Sequence, residues 1–275
     1  MSILMKLDSK AASSGTSDNF TINFKNPLSI SSLLPNVNTD RYHFEVSLVN
    51  LTCWYTWYNI SAEFGNNSFT YSSDGGATTN SVVIPDGIWS ISAINSYLHS
   101  VMAENGHFET ISGVTVYPIA IIGDENRNRV KVYIKPSSDY RLYLTGGADS
   151  FRSLLGFDSI TISADGYTFA TNNANITRGV NSLDVHCSLV NSQYAINNSA
   201  SGDVIYSFAP NSTESVASAI TREPFMPISM PINNNSISNI NMYITDQSGR
   251  PISFNGEDVT YLLRIKIVKS MDVDE

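Results

Sequence analysis

The sequence predicts an all-β protein, and three features carry that expectation. Apolar residues alternate with polar ones in short runs, Tyr42, Phe44, Val46 and Leu48 being the clearest. Gly, Asn, Pro and Ser cluster between these runs as turns. Only one stretch carries a helical period. Charged residues are 15% of the chain, below the roughly 25% of an average soluble domain. The hydrophobic fraction of 42%, with 11% aromatic, excludes a disordered chain. Together these point to a single jelly-roll antiparallel β-sandwich with one connecting helix, presenting large uncharged surfaces.

Taken in order, residues 1–19 are expected to be a flexible N-terminal arm, because the segment from Asp8 to Asn19 is polar, Ser-rich and aperiodic. Residues 20–275 then form one jelly-roll domain, opening with a strand at Phe20–Phe24. In the strand from Tyr42 the apolar set falls on Tyr42, Phe44, Val46 and Leu48. It then moves to Leu51, Cys53, Tyr55 and Trp57. A one-residue change of phase predicts a bulge or bend near Val49–Leu51. Short strands follow at Ser68–Ser72 and Ser81–Ile84. The helix spans Ser90–Glu104, with Ser90 or Ser92 as cap, Gly106 as stop, and Ile91, Ile94, Leu98, Val101 and Met102 as its apolar stripe. That stripe is expected to close one end of the sandwich. Val114–Ile122 and Val130–Lys135 read as a hairpin, and Phe151–Phe157 as a single helical turn. Strands at Ser182–Val190, Asp203–Phe208, Ile237–Thr245 and Val259–Val268 complete the chain.

Several functions are disfavoured. The net charge is −9, which opposes binding driven by phosphate neutralisation, and Arg264, Lys266 and Lys269 read as the solvent face of the last strand. No apolar run approaches the roughly 20 residues of a membrane span. The start, Met1–Lys6, is too short and too soon charged for a signal peptide, so the chain is expected to be intracellular when made. Cys53 and Cys187 lie in apolar runs and read as two reduced core thiols. Asp124, Asn126 and Asn128 mimic a calcium loop, but Arg129 replaces the obligatory Gly and Lys135 the chelating Glu. No phosphate-binding glycine loop and no nucleophile elbow is present, and neither metal nor cofactor is expected.

Four residues stand out as candidate assembly contacts. Asp184 and His186 share a strand face opposite Leu183, Val185 and Cys187, so both are expected to point to solvent or to a neighbouring subunit. In Trp54-Tyr55-Thr56-Trp57-Tyr58, Trp54 and Tyr58 fall on one face and Trp57 on the other. Either the bend hides both faces, or one of them exposes large rings as a contact surface.

Three further groups of residues carry a family resemblance. Trp57–Ser61 is followed by Ile84-Pro85-Asp86-Gly87-Ile88-Trp89-Ser90-Ile91 and Ile94–Leu98. Asn181–Val190 is followed by Asp203–Phe208. The chain closes with Ile244-Thr245-Asp246-Gln247-Ser248-Gly249-Arg250-Pro251-Ile252 and Phe254–Val259. Their order and spacing resemble the penton (minor capsid) proteins of polinton-type elements and virophages. The resemblance implies a capsid protein of the virion, assembled in the host cell. It would form homopentamers at icosahedral vertices, beside a double jelly-roll major capsid protein, with no catalytic residues. The cell-binding RGD of more distant pentons has only Arg178-Gly179-Val180 as counterpart, so that role is not implied. The rival expectation from another class is a soluble carbohydrate-binding jelly-roll using exposed aromatics such as Trp89.

Overall fold

The computed structural model describes residues 1–35, 41–176, 180–190, 202–210, 217–232, 234 and 236–269. The Arg178-Gly179 pair lies outside the described residues. The chain divides into two compact units rather than the single domain expected. One joins residues 1–57 to 180–275, and the other is the intervening 58–179.

The first unit begins with β1 (Ser2–Asp8), β2 (Ser14–Gly15) and β3 (Asn19–Ser29). A single turn, α1 (Ile30–Leu33), and the long β4 (Tyr42–Trp54) follow. The second unit carries β5 (Ser68–Ser72), β6 (Asn80–Val83), α2 (Ile91–Glu104), β7 (Glu109–Ile111), β8 (Val114–Val116), β9 (Ile119–Asp124) and β10 (Arg129–Ile134). It continues through β11 (Arg141–Leu144), α3 (Phe151–Leu154), β12 (Ile160–Ile162) and β13 (Gly166–Phe169). The chain then returns to the first unit as β14 (Leu183–Cys187), β15 (Val204–Phe208), β16 (Ala219–Arg222), β17 (Met230–Ile232), β18 (Ser236–Asp246) and β19 (Thr260–Lys269).

In the first unit, one sheet runs β1-β19-β4, with β16 and β17 both paired to the far side of β4. The other runs β15-β14-β18-β3-β2. Counting β16 and β17 as one interrupted strand and leaving out the two-residue β2, the eight strands in chain order stack as 1-8-3-6 and 2-7-4-5. That is the strand order of two interlocked Greek keys, the jelly roll. The two sheets share a core that includes Phe20, Phe44, Leu51, Val185, Ile240 and Leu263. Cys53 and Cys187 are buried within it and form no disulfide. Burial pushes the Cys187 thiol up to about 12, which keeps it protonated and inert.

The change of phase in β4 is a bulge. Leu262 faces Asn50 while Leu263 faces Leu48, so Val49 is the extra residue. It lets Phe44, Val46 and Leu48 before it, and Leu51 and Cys53 after it, all point into one core.

The second unit has its own core, built by Tyr71, Ile94, Leu98, Val132, Leu142 and Phe151 among others. The hairpin across 125–128 is present as β9–β10, but Val114–Val116 pairs with β7 instead. Ser90 caps α2 by accepting from the Ala93 N–H at 3.2 Å, and Gly106 ends it at φ +73°. The helix does not close the sandwich as expected. Ile94, Leu98 and Met102 are fully buried in the second unit's core, and the Asn95 side chain accepts from the β9 backbone at Ile121. Gly156 has φ +79°, and a Cβ there would collide with the carbonyls of Asn172 and Asn173. The ends of the unit are tied together, since the Asn59 amide donates to the Ile176 carbonyl at 2.7 Å.

The N-terminal arm expectation is also corrected. Ser2–Asp8 pairs residue for residue with β19, from Ser2 opposite Lys266 to Asp8 opposite Thr260. Leu7 is buried in the core, and Asp18 accepts from the Phe254 N–H at 2.7 Å. The alternation that builds this strand, Ile3, Met5 and Leu7, lies ahead of the polar stretch 8–19, whose composition says nothing about it. Leu7→Ala is therefore expected to cost about 2–5 kcal/mol of stability in denaturant titration. Leu4→Ala, on the exposed face of the same strand, should stay within about 0.5 kcal/mol. Two silent substitutions would restore the arm.

Candidate assembly surface

The outer face and both edges of the β1-β19-β4-β16 sheet form the most distinctive surface of the first unit. At one edge, β1 turns Ile3, Met5 and Leu7 toward the core and Ser2, Leu4 and Lys6 outward. Leu4 is 63% exposed and Met1 62%. Among the described residues, β1 pairs only with β19, so its other side is an open strand edge.

At the opposite edge the sixth jelly-roll strand is interrupted. Arg222 on β16 faces Leu51, and Met230 on β17 faces Val46. Seven residues, 223–229, thus span a gap that four residues cover on β4, and the surplus is thrown outward. Phe225 is 99% exposed, Met226 75% and Ile228 69%. Pro224 and Pro227 lie within this knob and fix φ, lowering the entropy cost of holding it in one shape. Its root is fastened. The Asn50 amide donates to Glu223 at 3.0 Å, and the Arg222 guanidinium lies 5.1 Å from the Phe208 ring centre. Rings and thioethers held in water this way mark contact surfaces. The sequence signal of the knob is Pro224-Phe225-Met226-Pro227-Ile228, an apolar run punctuated by prolines between two strands.

Of the residues singled out from sequence, Trp54 is half-buried at the end of β4, opposite Ala219 on the edge strand and on the other side of β4 from Cys53. Strand β4 ends there, so the alternation does not extend to Tyr58. Trp57 is buried at 8% exposure with its edge toward Phe254, and Tyr58 is half-buried in the second unit. The aromatic cluster is therefore split between the two units.

The Asp184–His186 expectation is corrected at His186. The imidazole is only 3% exposed. Its Nδ1 lies 2.7 Å from Asp203 Oδ1, its Nε2 lies 2.9 Å from Thr245 Oγ1, and its ring stacks on Tyr243 at 4.2 Å. The Tyr243 hydroxyl donates to Asp203 Oδ2 at 3.0 Å. Asp184 is half-buried and opposite Ser207 and Thr245. Sequence reasoning missed Asp203, Tyr243 and Thr245 because they meet His186 only through the register of three strands. The row carboxylate–imidazole–hydroxyl has the order of a hydrolytic triad. Thr245 is, however, 4% exposed, so its hydroxyl has no approach for a substrate, and the cluster acts as a polar staple between β14, β15 and β18.

Among the described residues no cluster of acidic, histidine or cysteine side chains could hold a metal, and no helix is long and apolar enough to cross a membrane. Trp89, the aromatic singled out for the carbohydrate-binding alternative, is half-buried. Its indole N–H donates to the Pro85 carbonyl at 2.9 Å and its ring meets Tyr97 edge-on at 5.5 Å.

By topology, then, the chain is an all-β protein: a jelly roll with a second β-rich unit inserted between its third and fourth strands and apolar groups displayed at both edges of one sheet. No protein-family model and no curated protein sequence matches it. Among solved structures it is similar to the mavirus penton protein, at 8% identity and a TM-score of 0.49, covering 98% of this chain and 100% of that one. It is also similar to a chain in the cryo-EM structure of the Sputnik virophage, at 11% identity and a TM-score of 0.38, covering 96% and 97%.

The staple reading has a direct test. His186→Ala removes one partner each from Asp203 and Thr245 and should lower stability by about 1–3 kcal/mol in thermal or urea unfolding. Asp184→Ala should change it by no more than about 0.5 kcal/mol. Equal effects would mean that the two side chains act as a pair after all.

Proposed function

We propose that this protein is a structural component of a viral capsid, a penton that forms homopentamers at icosahedral vertices beside a double jelly-roll major capsid protein. The observation that carries the reading is the complete jelly-roll strand order found in a chain whose motifs, in order and spacing, resemble penton proteins. The motif residues occupy positions that hold this fold. Asp246 accepts from the backbone of Ser248 and Arg250 and pairs with the Arg250 guanidinium at 2.6 Å, shaping the turn after β18. Gln247 accepts from the Asn181 and Ser182 N–H groups ahead of β14. Asp86, in Pro85-Asp86-Gly87, accepts from Ser61 and Ala62. The reading places the protein in the virion without catalytic activity or cofactor. Trp54, Tyr58 and Asp184 are the half-buried positions open to contacts, with His186 bracing the sheet beneath.

Five like copies carry a net charge of −9 each, so their contacts must come from apolar and uncharged surface. Salt screens the repulsion and leaves apolar burial intact. Light scattering on the purified chain is expected to give five times the 30.1 kDa chain mass, favoured by moderate salt. A persistent monomer at high protein concentration, or assembly abolished by salt, counts against the self-assembling penton.

A further inference from the structure

We infer that the Phe225 knob of one copy docks on the β1 edge of the next, so that copies of this chain join head to tail through opposite edges of one sheet. The inference rests on the self-assembly reading above and assigns its contact. Among the described residues of the first unit, five large apolar side chains are exposed, and they fall into two groups. Phe225, Met226 and Ile228 make the knob, and Met1 and Leu4 lie along β1. The strand order β1-β19-β4-β16 puts these groups at the two ends of the same sheet. A single patch would suit a two-fold contact between identical surfaces. Two patches at opposite edges suit a heterologous contact, in which each copy gives one and takes the other, and which closes into a ring when the rotation allows.

Chemistry and shape agree with that pairing. The knob's side chains are exposed, while β1 has, among the described residues, a strand partner on one side only. Beside Leu4 is Lys6, whose only ion pair among the described residues is a 3.6 Å contact with Asp8 on its own strand. Beside Phe225 is the exposed Glu223, and Arg222 next to it is turned back onto Phe208 and the Ala209 carbonyl. The acid on the knob and the ammonium on the edge are therefore of opposite sign at the rim of the contact, which favours one orientation.

The test uses Phe225→Asp and Leu4→Asp, each on the full chain, with circular dichroism to check folding and light scattering for mass. Both positions are exposed, so both variants should fold. Each alone should assemble at least about tenfold more weakly than wild type. Mixed in equal amounts, they should form dimers and stop, because the intact edge of the first meets the intact knob of the second while the remaining surfaces are spoiled. A cross-check pairs Leu4→Cys with Phe225→Cys under mild oxidation. A disulfide-linked dimer is expected from the mixture and little from either variant alone, since Cys53 and Cys187 are buried. Wild-type assembly with both Asp variants unaffected, or with a mixture that stays monomeric, overturns the contact and leaves the penton reading standing. An assembly of some number other than five, with the mixture behaving as described, keeps the contact and removes the pentamer. A wild-type monomer overturns both.

Discussion

The pairing of β4 with β19 is the constraint on which the first unit depends. The two strands lie at the centre of their sheet, in register from Lys269 opposite Tyr42 to Thr260 opposite Thr52, interrupted once by the extra residue Val49. Every other feature of that sheet is hung on one of them. β1 finds its register on β19, and both halves of the interrupted edge strand find theirs on β4. The bulge decides which side chains are available. Without it, Leu51 and Cys53 would turn to the outer face and Thr52 and Trp54 would enter the core, because a one-residue slip inverts a strand.

How much of this was legible follows from where each signal resides. The bulge was readable because it is written in one strand's own alternation. The cap at Ser90, the stop at Gly106, the turn at Phe151 and the buried thiols were readable for the same reason, being set by neighbours within a few residues. The division into two units was not, since it depends on which core each apolar residue joins. Leu98 and Leu263 look alike in sequence and belong to different clusters. The setting of His186 was hidden because its partners Asp203 and Thr245 are 17 and 59 residues away. Period-two reasoning put His186 on the outer face correctly. It failed to see that Tyr243, opposite it on β18, would cover that part of the face.

The family-like motifs gain a physical meaning from the same contrast. Asp86, Asp246 and Gln247 each bind main-chain groups of the fold itself. They accept from backbone N–H groups at the points where the chain enters or leaves a strand, a task that tolerates few other side chains.

The inserted unit shows how such a scaffold can carry extra structure without losing its strand order. Residues 58–179 leave after β4 and return before β14, a connection that a jelly roll makes between its third and fourth strands. Any length of chain can occupy that connection if its two ends come back together, because the closure cost then falls on the insert and not on the sandwich. Asn59 meets that condition. One amide side chain accepts from Trp89 N–H at 2.8 Å and donates to both the Trp89 and Ile176 carbonyls, binding the first residues of the insert to its last described ones. With 7% exposure it sits in a site where each lost hydrogen bond leaves a polar backbone group to be resolvated. The clasp closes the second unit on itself, and its apolar residues fill a core of their own.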